Sequence, residues 1–361
     1  MHSPPATKKS RRRRNLLQKS FAWAVQPALA LRVLCVPMLL FINWEIVSAF
    51  MPTSYANPFS PFIFLSNPVP GPTPGERRYA KSWWDLAFIG YYIVFWSMVR
   101  QSLVPVMKKM ARSYGIKKPA KLDRFGEQGY AVIYFSFTGI WGVYIMSQLP
   151  TWWYRTEHFW LGYPHWDMLP SMKRYYLMQI AYWLQQLLVL ILGLEKPRKD
   201  YRELVIHHAV TLWLVGWSYL TNLTLIGNAI YVSMDIPDVF LAFSKILNYL
   251  QFETGKTVSF GVFLVIWTYF RHYLNIIILH SVWTQFDLIP SWAQQWKPEW
   301  GVWMAGWLRY QIFAPIFLLH CVNLFWYYYI LRIAWRAISS APITDDRSDD
   351  EDDGDHQGKG D

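Results

Sequence analysis

Long apolar stretches separated by polar connections dominate the hydrophobic pattern of the chain. An α-helix needs roughly 20 residues to cross about 30 Å of hydrocarbon. Eight stretches approach this length, at residues 31–50, 84–106, 129–149, 174–193, 205–222, 226–248, 258–283 and 306–333. The pattern therefore predicts an all-α, polytopic membrane protein with about eight transmembrane helices.

The composition agrees with this prediction, because 53% of the 361 residues are hydrophobic and 22 are tryptophan. A soluble helical protein rich in aromatic residues is the alternative. The concentration of the apolar residues in long runs disfavours it.

The placement of the basic residues bears on both partners and orientation. The net charge of +11 could indicate a nucleic-acid-binding protein. The lysines and arginines, however, cluster before the first stretch, after the second, and between the fourth and fifth, and they are sparser in the intervening connections. The positive-inside rule predicts this alternation when both termini are cytosolic. We therefore expect no nucleic-acid partner and two cytosolic termini.

The segments outside the apolar stretches have distinct compositions. Residues 1–25 are expected to form a basic cytosolic tail, and 26–121 to hold two N-terminal helices joined by a lumenal loop or re-entrant cap at 52–75. That loop is too rich in proline and glycine for a regular helix. Residues 339–361 are expected to form an acidic, disordered cytosolic tail, in which Ser348 precedes an acidic run and suggests a kinase site.

Ionisable residues inside apolar stretches are candidates for function, because each costs about 2.5–3.5 kcal/mol at the centre of a membrane unless it faces a cavity or a bundle interior. His207 and His208 lie near the start of the fifth stretch, and Asp235 and Asp238 share one face of the sixth. Arg271 lies within the seventh. The short connection between the fifth and sixth stretches makes them antiparallel neighbours, so the imidazoles and carboxylates are expected to meet.

An imidazole held by a carboxylate is a fixed tautomer and a stronger base. It can take a proton from an amine or attack a thioester. A packed structural cluster and a mononuclear metal site with two histidine and two aspartate ligands are the alternatives. We predict that His207, His208, Asp235 and Asp238 are catalytic and that they bind no metal ion or other cofactor.

A longer motif surrounds these four residues. Between residues 207 and 250 it comprises His207, His208, Thr211, Ser218, Asn222, Gly227, Asp235 and Asp238. This motif resembles the signature of the ceramide synthase family, the sphingolipid N-acyltransferases with a TLC domain, and in particular its fungal members. Met234 and Pro237 depart from residues that are common in the family. The resemblance implies a catalytic TLC domain over about 122–338, built from the last six helices around a central cavity.

The resemblance also implies an activity: transfer of a fatty acyl group from acyl-CoA, which is a substrate and not a cofactor, to the amine of a sphingoid base such as dihydrosphingosine or phytosphingosine. His207 would attack the thioester or deprotonate the amine, while His208 and the two aspartates orient it and stabilise charge. Thr211, Ser218, Asn222, Arg271 and Asn275 are predicted to bind substrate or support the site. The implied setting is the endoplasmic reticulum membrane, with membrane lipid, a small single-span regulatory subunit, and a second copy or a paralogue as partners.

Two other functions are compatible with these features. A non-enzymatic TLC-domain protein could sense lipid or act beside a translocon, although such proteins tend to lack the full set of histidines and aspartates. A transporter could use the carboxylates for proton coupling. A transporter would predict internal pseudo-symmetry, which the sequence does not show.

Overall fold

A computed structural model describes residues 21–52, 55–194 and 200–339 of the chain. The predicted basic tail lies largely outside these residues. The acidic tail, including Ser348, lies outside them except at its first residue.

Eight long helices occupy the eight apolar stretches within the described residues. They are α1 (Pro27–Ser48), α2 (Asp85–Ser113), α3 (Pro119–Ser147), α4 (Pro170–Leu192), α5 (Tyr201–Leu220), α6 (Thr224–Tyr249), α7 (Glu253–Thr284) and α8 (Leu308–Ile338). In the described part of the chain, five of them (α1, α3, α4, α7 and α8) are long and apolar enough to cross a membrane. The prediction of a polytopic, mostly helical membrane protein is confirmed, and the count of eight spans stays a prediction.

Proline sets the start of several helices. Pro27, Pro119 and Pro170 lie in the first turns of α1, α3 and α4, where a missing N–H leaves no hydrogen bond unmade. Helix α3 starts at Pro119 rather than near residue 129. The residues from 119 to 128 are mostly polar, so they extend the helix without belonging to the apolar stretch. Helix α4 ends at Gly193, whose φ of 61° suits glycine.

The last six helices form a closed ring. Successive members are in contact in the order α3, α4, α5, α8, α7, α6 and back to α3. Helix α2 packs on the outside of the ring against α3 and α4, and α1 packs on α2. The order of contacts brings α5 and α8 together although two helices separate them in sequence.

A small antiparallel sheet and several single turns lie between the long helices. The sheet contains β1 (Pro68–Pro70), β2 (Arg77–Ala80) and β3 (Asp167–Met168) in that order. The single turns are Ala22–Ala24, Ser60–Ile63, Thr156–Phe159, Phe286–Leu288, Ser291–Ala293 and Pro298–Trp300. The molecule is therefore mostly helical rather than all-α. The single turn Ser60–Ile63 and the strand β1 lie within residues 52–75, the segment that the sequence predicts as a loop.

A buried ion pair fixes this sheet against the helices. The Lys173 ammonium lies 2.7 Å from a carboxylate oxygen of Asp85 and donates to the carbonyl oxygens of Ser66 and Ala80 at 2.9 and 2.7 Å. Asp85 also accepts from the Tyr219 hydroxyl of α5 at 2.8 Å. Buried charges require such pairing. The cluster joins the sheet to α2, α4 and α5.

Candidate functional site

Two cavities meet inside the ring. The wider one has a volume of about 590 Å³ and lies at the end of the ring where α5 begins. Charged and polar side chains line much of it, including His207, His208, Asp238, Lys245 and Arg271. An extended polar head group therefore fits this cavity better than an apolar chain.

The narrower pocket has a volume of about 50 Å³ and runs from His207 towards the far end of α5. Apolar side chains such as Leu214, Ile226, Ile316 and Leu319 form most of its wall. Four residues line both spaces: Trp183, His207, Asp238 and Arg271. A polar and an apolar compartment thus meet at one histidine, one carboxylate and one guanidinium.

The two histidines have different surroundings. The Nδ1 atom of His207 has no hydrogen-bond partner among the described residues, so this nitrogen does not make the carboxylate contact that the sequence pattern favoured. The Nδ1 atom of His208 lies 2.8 Å from the carbonyl oxygen of Leu204, one turn earlier. The two imidazole planes are nearly perpendicular, at 88°, with ring centres 5.8 Å apart. Both rings line the wide cavity, and only His207 also lines the narrow pocket.

Arg271 is held from three sides. Its guanidinium donates to Asp238 at 2.7 Å, to the carbonyl oxygen of Met234 at 2.9 Å and to the side-chain oxygen of Asn323 at 2.9 Å. It also lies 4.3 Å from the ring centre of Trp267, within cation–π range. A buried ion pair is stable only when hydrogen bonds satisfy its remaining groups. These contacts satisfy the two terminal nitrogens of Arg271 and fix Asp238 at the junction.

Asp235 does not join this cluster and lines neither cavity. It is fully buried and accepts a hydrogen bond of 2.6 Å from Gln179 on α4, and Gln179 in turn accepts one of 2.6 Å from the Tyr134 hydroxyl. Residues three apart on a helix differ in direction by about 60°. That rotation points Asp238 towards α7 and Asp235 towards α4. The two carboxylates therefore face different neighbouring helices, and of the two only Asp238 lines the cavities.

Besides Arg271, two of the predicted supporting residues line the narrow pocket. Thr211 lies one turn after His207 on α5, and Ser218 lies near the far end of the pocket. The Ser218 hydroxyl forms a short hydrogen bond with that of Tyr176. These two polar groups lie in a wall that is mostly apolar beyond the junction with the wide cavity.

The other two predicted supporting residues, Asn222 and Asn275, line neither cavity. Asn222 has a left-handed φ of 63° in the turn between α5 and α6 and donates to the carbonyl oxygen of Gly301 at 2.8 Å. It lies about 22 Å along the helix axis from His207. Asn275 follows a π-helical segment, Thr268–Leu274. Its side chain is buried, and neither atom of its amide has a hydrogen-bond partner among the described residues.

Four residues that contact the site or its carboxylates were not predicted. Trp183 and Trp326 flank His207, Asn323 binds Arg271, and Gln179 binds Asp235. An amide inside an apolar stretch is a recognisable signal, since it must find a partner within the bundle. Tryptophan is so abundant here that no single one stands out in the sequence.

The described residues contain no group of three or more histidine, cysteine, aspartate or glutamate side chains placed to hold a metal ion. The two-histidine, two-aspartate site that the sequence left open is thus not formed by this part of the chain.

Comparison with known proteins gives consistent matches. A sequence model of the TLC domain matches residues 124–332. The chain is 42% identical to the sphingosine N-acyltransferase lac1 of Schizosaccharomyces pombe, over 80% of this chain and 74% of that protein. It is 36% identical to the sphingosine N-acyltransferase-like protein FUM17 of Gibberella moniliformis, over 91% and 85% of the two chains. It is 38% identical to the ceramide synthase LAG1 of Saccharomyces cerevisiae, over 82% and 71%.

Proposed function

This chain belongs to the TLC domain family, and we propose that it is a ceramide synthase, which transfers a fatty acyl group from acyl-CoA to the amine of a sphingoid base. The family match confirms the resemblance inferred from the motif that begins at His207. The names of the relatives support the substrate classes.

The observation that carries the proposal is the junction of two unlike compartments at His207. The CoA group is large and polar, and it suits the wide cavity, whose lining carries charged side chains of both signs, among them Lys245 and Glu127. The apolar lining of the narrow pocket matches the acyl chain in chemical character. In this pose the thioester lies where the compartments meet, beside the imidazole.

Two chemical routes are open to His207. In the covalent route, an imidazole nitrogen attacks the thioester carbonyl, the C–S bond breaks and CoA leaves as its thiolate. The sphingoid amine then attacks the acyl-imidazole, the C–N bond to His207 breaks, and the amine proton passes to the thiolate. In the general-base route, His207 takes the proton from the amine as it attacks the thioester directly, and passes that proton to the departing thiolate. Both routes yield an amide and free CoA.

Arg271 is proposed to stabilise the negative charge on the carbonyl oxygen. Its Nε atom is buried and has no hydrogen-bond partner among the described residues, while its other nitrogens hold Asp238 and Asn323. A preorganised donor that pairs with a developing oxyanion lowers the barrier strongly. Asp238 would balance the guanidinium charge, and His208 would help to orient its neighbour.

The setting of the enzyme belongs to the same proposal. Eight spans with both termini in the cytosol place the wide cavity at the cytosolic side, where acyl-CoA would enter. The endoplasmic reticulum membrane, the small single-span regulatory subunit, and a dimer with itself or a paralogue stay predictions that rest on the resemblance.

The test is an assay of the purified protein with acyl-CoA and a sphingoid base, with the amide product measured by mass spectrometry. We expect ceramide from the wild type and none above background from His207→Ala. His280→Ala is the matched control, because that histidine is exposed at the far end of α7. An inactive wild type would contradict the proposal. An active His207→Ala would show that His207 is not a catalytic residue. An acylated enzyme mass that His207→Ala loses would identify the covalent route.

A further inference from the structure

Aromatic rings flank His207. The ring centres of Trp183 on α4 and Trp326 on α8 lie 5.8 and 5.3 Å from that of the imidazole, with the planes inclined at 73° and 71°. Aromatic rings favour such separations and near-perpendicular arrangements. The imidazole of α5 therefore lies between two indoles, one from each of the helices that flank α5 in the ring.

One of these indoles is itself fixed by a carboxylate. The Nε1 atom of Trp326 donates to Asp200 at 3.1 Å. Asp200 is 6% exposed and directly precedes α5. The indole N–H is a donor only, and a buried one usually has a defined partner. Asp200 thus determines the rotation of the ring that contacts His207.

We propose that Asp200, Trp326 and Trp183 are positioning residues for the acyl transfer, and that the Asp200–Trp326 hydrogen bond orients the His207 imidazole in place of a directly bonded carboxylate. The inference rests on the proposed function. In both routes His207 gains positive charge, as a protonated or an acylated imidazole. The π-system of an indole stabilises a cation that lies within about 6 Å of the ring centre over its face, and both ring centres lie within that distance of the imidazole centre.

The test uses four variants of the full chain in the same assay. Trp326→Phe removes the N–H and keeps a ring, whereas Asp200→Leu removes the acceptor. We expect each to lower kcat about 10-fold while the KM values of both substrates change less than about twofold, since misorientation affects chemistry more than binding. The loss in the double variant should be smaller than the sum of the two single losses, because both changes remove the same Asp200–Trp326 hydrogen bond. Asp200→Asn should recover most of the activity, because its amide oxygen accepts the same hydrogen bond.

The control is Trp335→Leu, which changes a tryptophan of the same helix that is 71% exposed and should keep wild-type kcat. Thermal unfolding of each variant separates misorientation from loss of fold. Wild-type kcat in Trp326→Phe, or additive losses in the double variant, would overturn the inference while leaving the proposed function intact. A wild type without transferase activity would overturn both.

Discussion

Gly227 shows how one residue shapes the narrow pocket. It lies in the first turns of α6 and lines that pocket together with Tyr176 of α4. A Cβ atom at this position would overlap the Tyr176 hydroxyl and lie 2.7 Å from its Cζ atom. That hydroxyl is also the partner of Ser218. The absence of a side chain at Gly227 thus allows the tyrosine to reach the serine and form part of the pocket wall.

We predict that Gly227→Ala destabilises the protein by about 1–3 kcal/mol, because the added methyl must displace a packed tyrosine. Gly216→Ala is the matched control. It lies within α5, and a Cβ there would meet no atom within 4 Å. We expect that control to be neutral or to stabilise by about 0.5–1 kcal/mol, since alanine suits a helix better than glycine. Thermal unfolding in detergent measures both, and equal stability of the two variants would contradict the account.

Individual residues also show why the site was only partly predictable. The histidines and Asp238 were recognisable because ionisable groups are costly in an apolar stretch. The divergence of Asp235 from Asp238 depends on which helix lies on each side of α6, and helix spacing alone does not contain that information. The partners of His207 come from α4 and α8, and only the order of helices around the ring brings them together.

At the scale of elements, the connection between β2 and α2 is attached to the end of α5. Lys81 follows β2 and donates to the carbonyl oxygen of Leu220, the last residue of α5, at 2.5 Å. Helix C-termini carry unpaired carbonyls and favour such donors. Burial lowers the pKa of Lys81 to about 8, and the nearby Asp85 carboxylate partly opposes this effect.

This lowered pKa predicts a pH dependence of stability. Between about pH 8 and the ordinary lysine pKa near 10.4, the folded protein has released a proton at Lys81 that the unfolded chain still binds. The contribution of Lys81 to stability therefore rises with pH across that window. We therefore compare the melting temperatures of the wild type and Lys81→Gln at about pH 7.5 and about pH 9.5, on the two sides of this transition. The melting temperature of the wild type minus that of the variant should be larger at the higher pH. Lys109 is an exposed lysine of α2, and Lys109→Gln should show no such change. A melting-temperature difference between the wild type and Lys81→Gln that does not vary with pH would contradict the lowered pKa of Lys81.

The elements differ in how far the sequence predicts them. The helices follow from apolar runs with proline at their starts, as in α1 and α4. The small sheet does not, because β2 pairs with β3 across a long sequence separation, with Tyr79 opposite Met168. Neither strand has enough alternating residues to signal itself. The two strands pair because the fold brings the N-terminal ends of α2 and α4 side by side, and the sequence alone does not contain that information.

At the scale of the molecule, the fold separates surfaces of different character. Helix α1 exposes many apolar side chains, as expected of a helix surrounded by lipid, while His207, Asp238, Lys245 and Arg271 of α5, α6 and α7 line the wide cavity inside the ring. The basic connection after α2 and the aromatic segment before α8 lie at opposite ends of the helices under the predicted orientation.

Accessibility to a membrane-impermeant maleimide tests that orientation. In a background of Cys35→Ser and Cys321→Ser, cysteine replaces Tyr114, which is 67% exposed after α2, or Trp300, which is 61% exposed before α8. In sealed microsomes we expect Tyr114→Cys to react at once and Trp300→Cys to react only after the membrane is permeabilised. Because the two positions are similarly exposed in the folded protein, a difference in their labelling reports the side of the membrane and not burial within the fold. The opposite pattern would reverse the orientation, and equal labelling would contradict the predicted topology.

The contact between α5 and α8 can form only late in biosynthesis. The ring closes only through α8, the last helix in the described chain, and α8 supplies Asn323 to Arg271 and Trp326 to His207. While the ribosome still holds this segment, Arg271 has entered the bundle without one of its three hydrogen-bonding partners. The nascent protein therefore passes through a stage with an incompletely satisfied charge and no finished site. A premature stop within α8 would leave the chain at that stage, as a substrate for membrane quality control rather than a weaker enzyme.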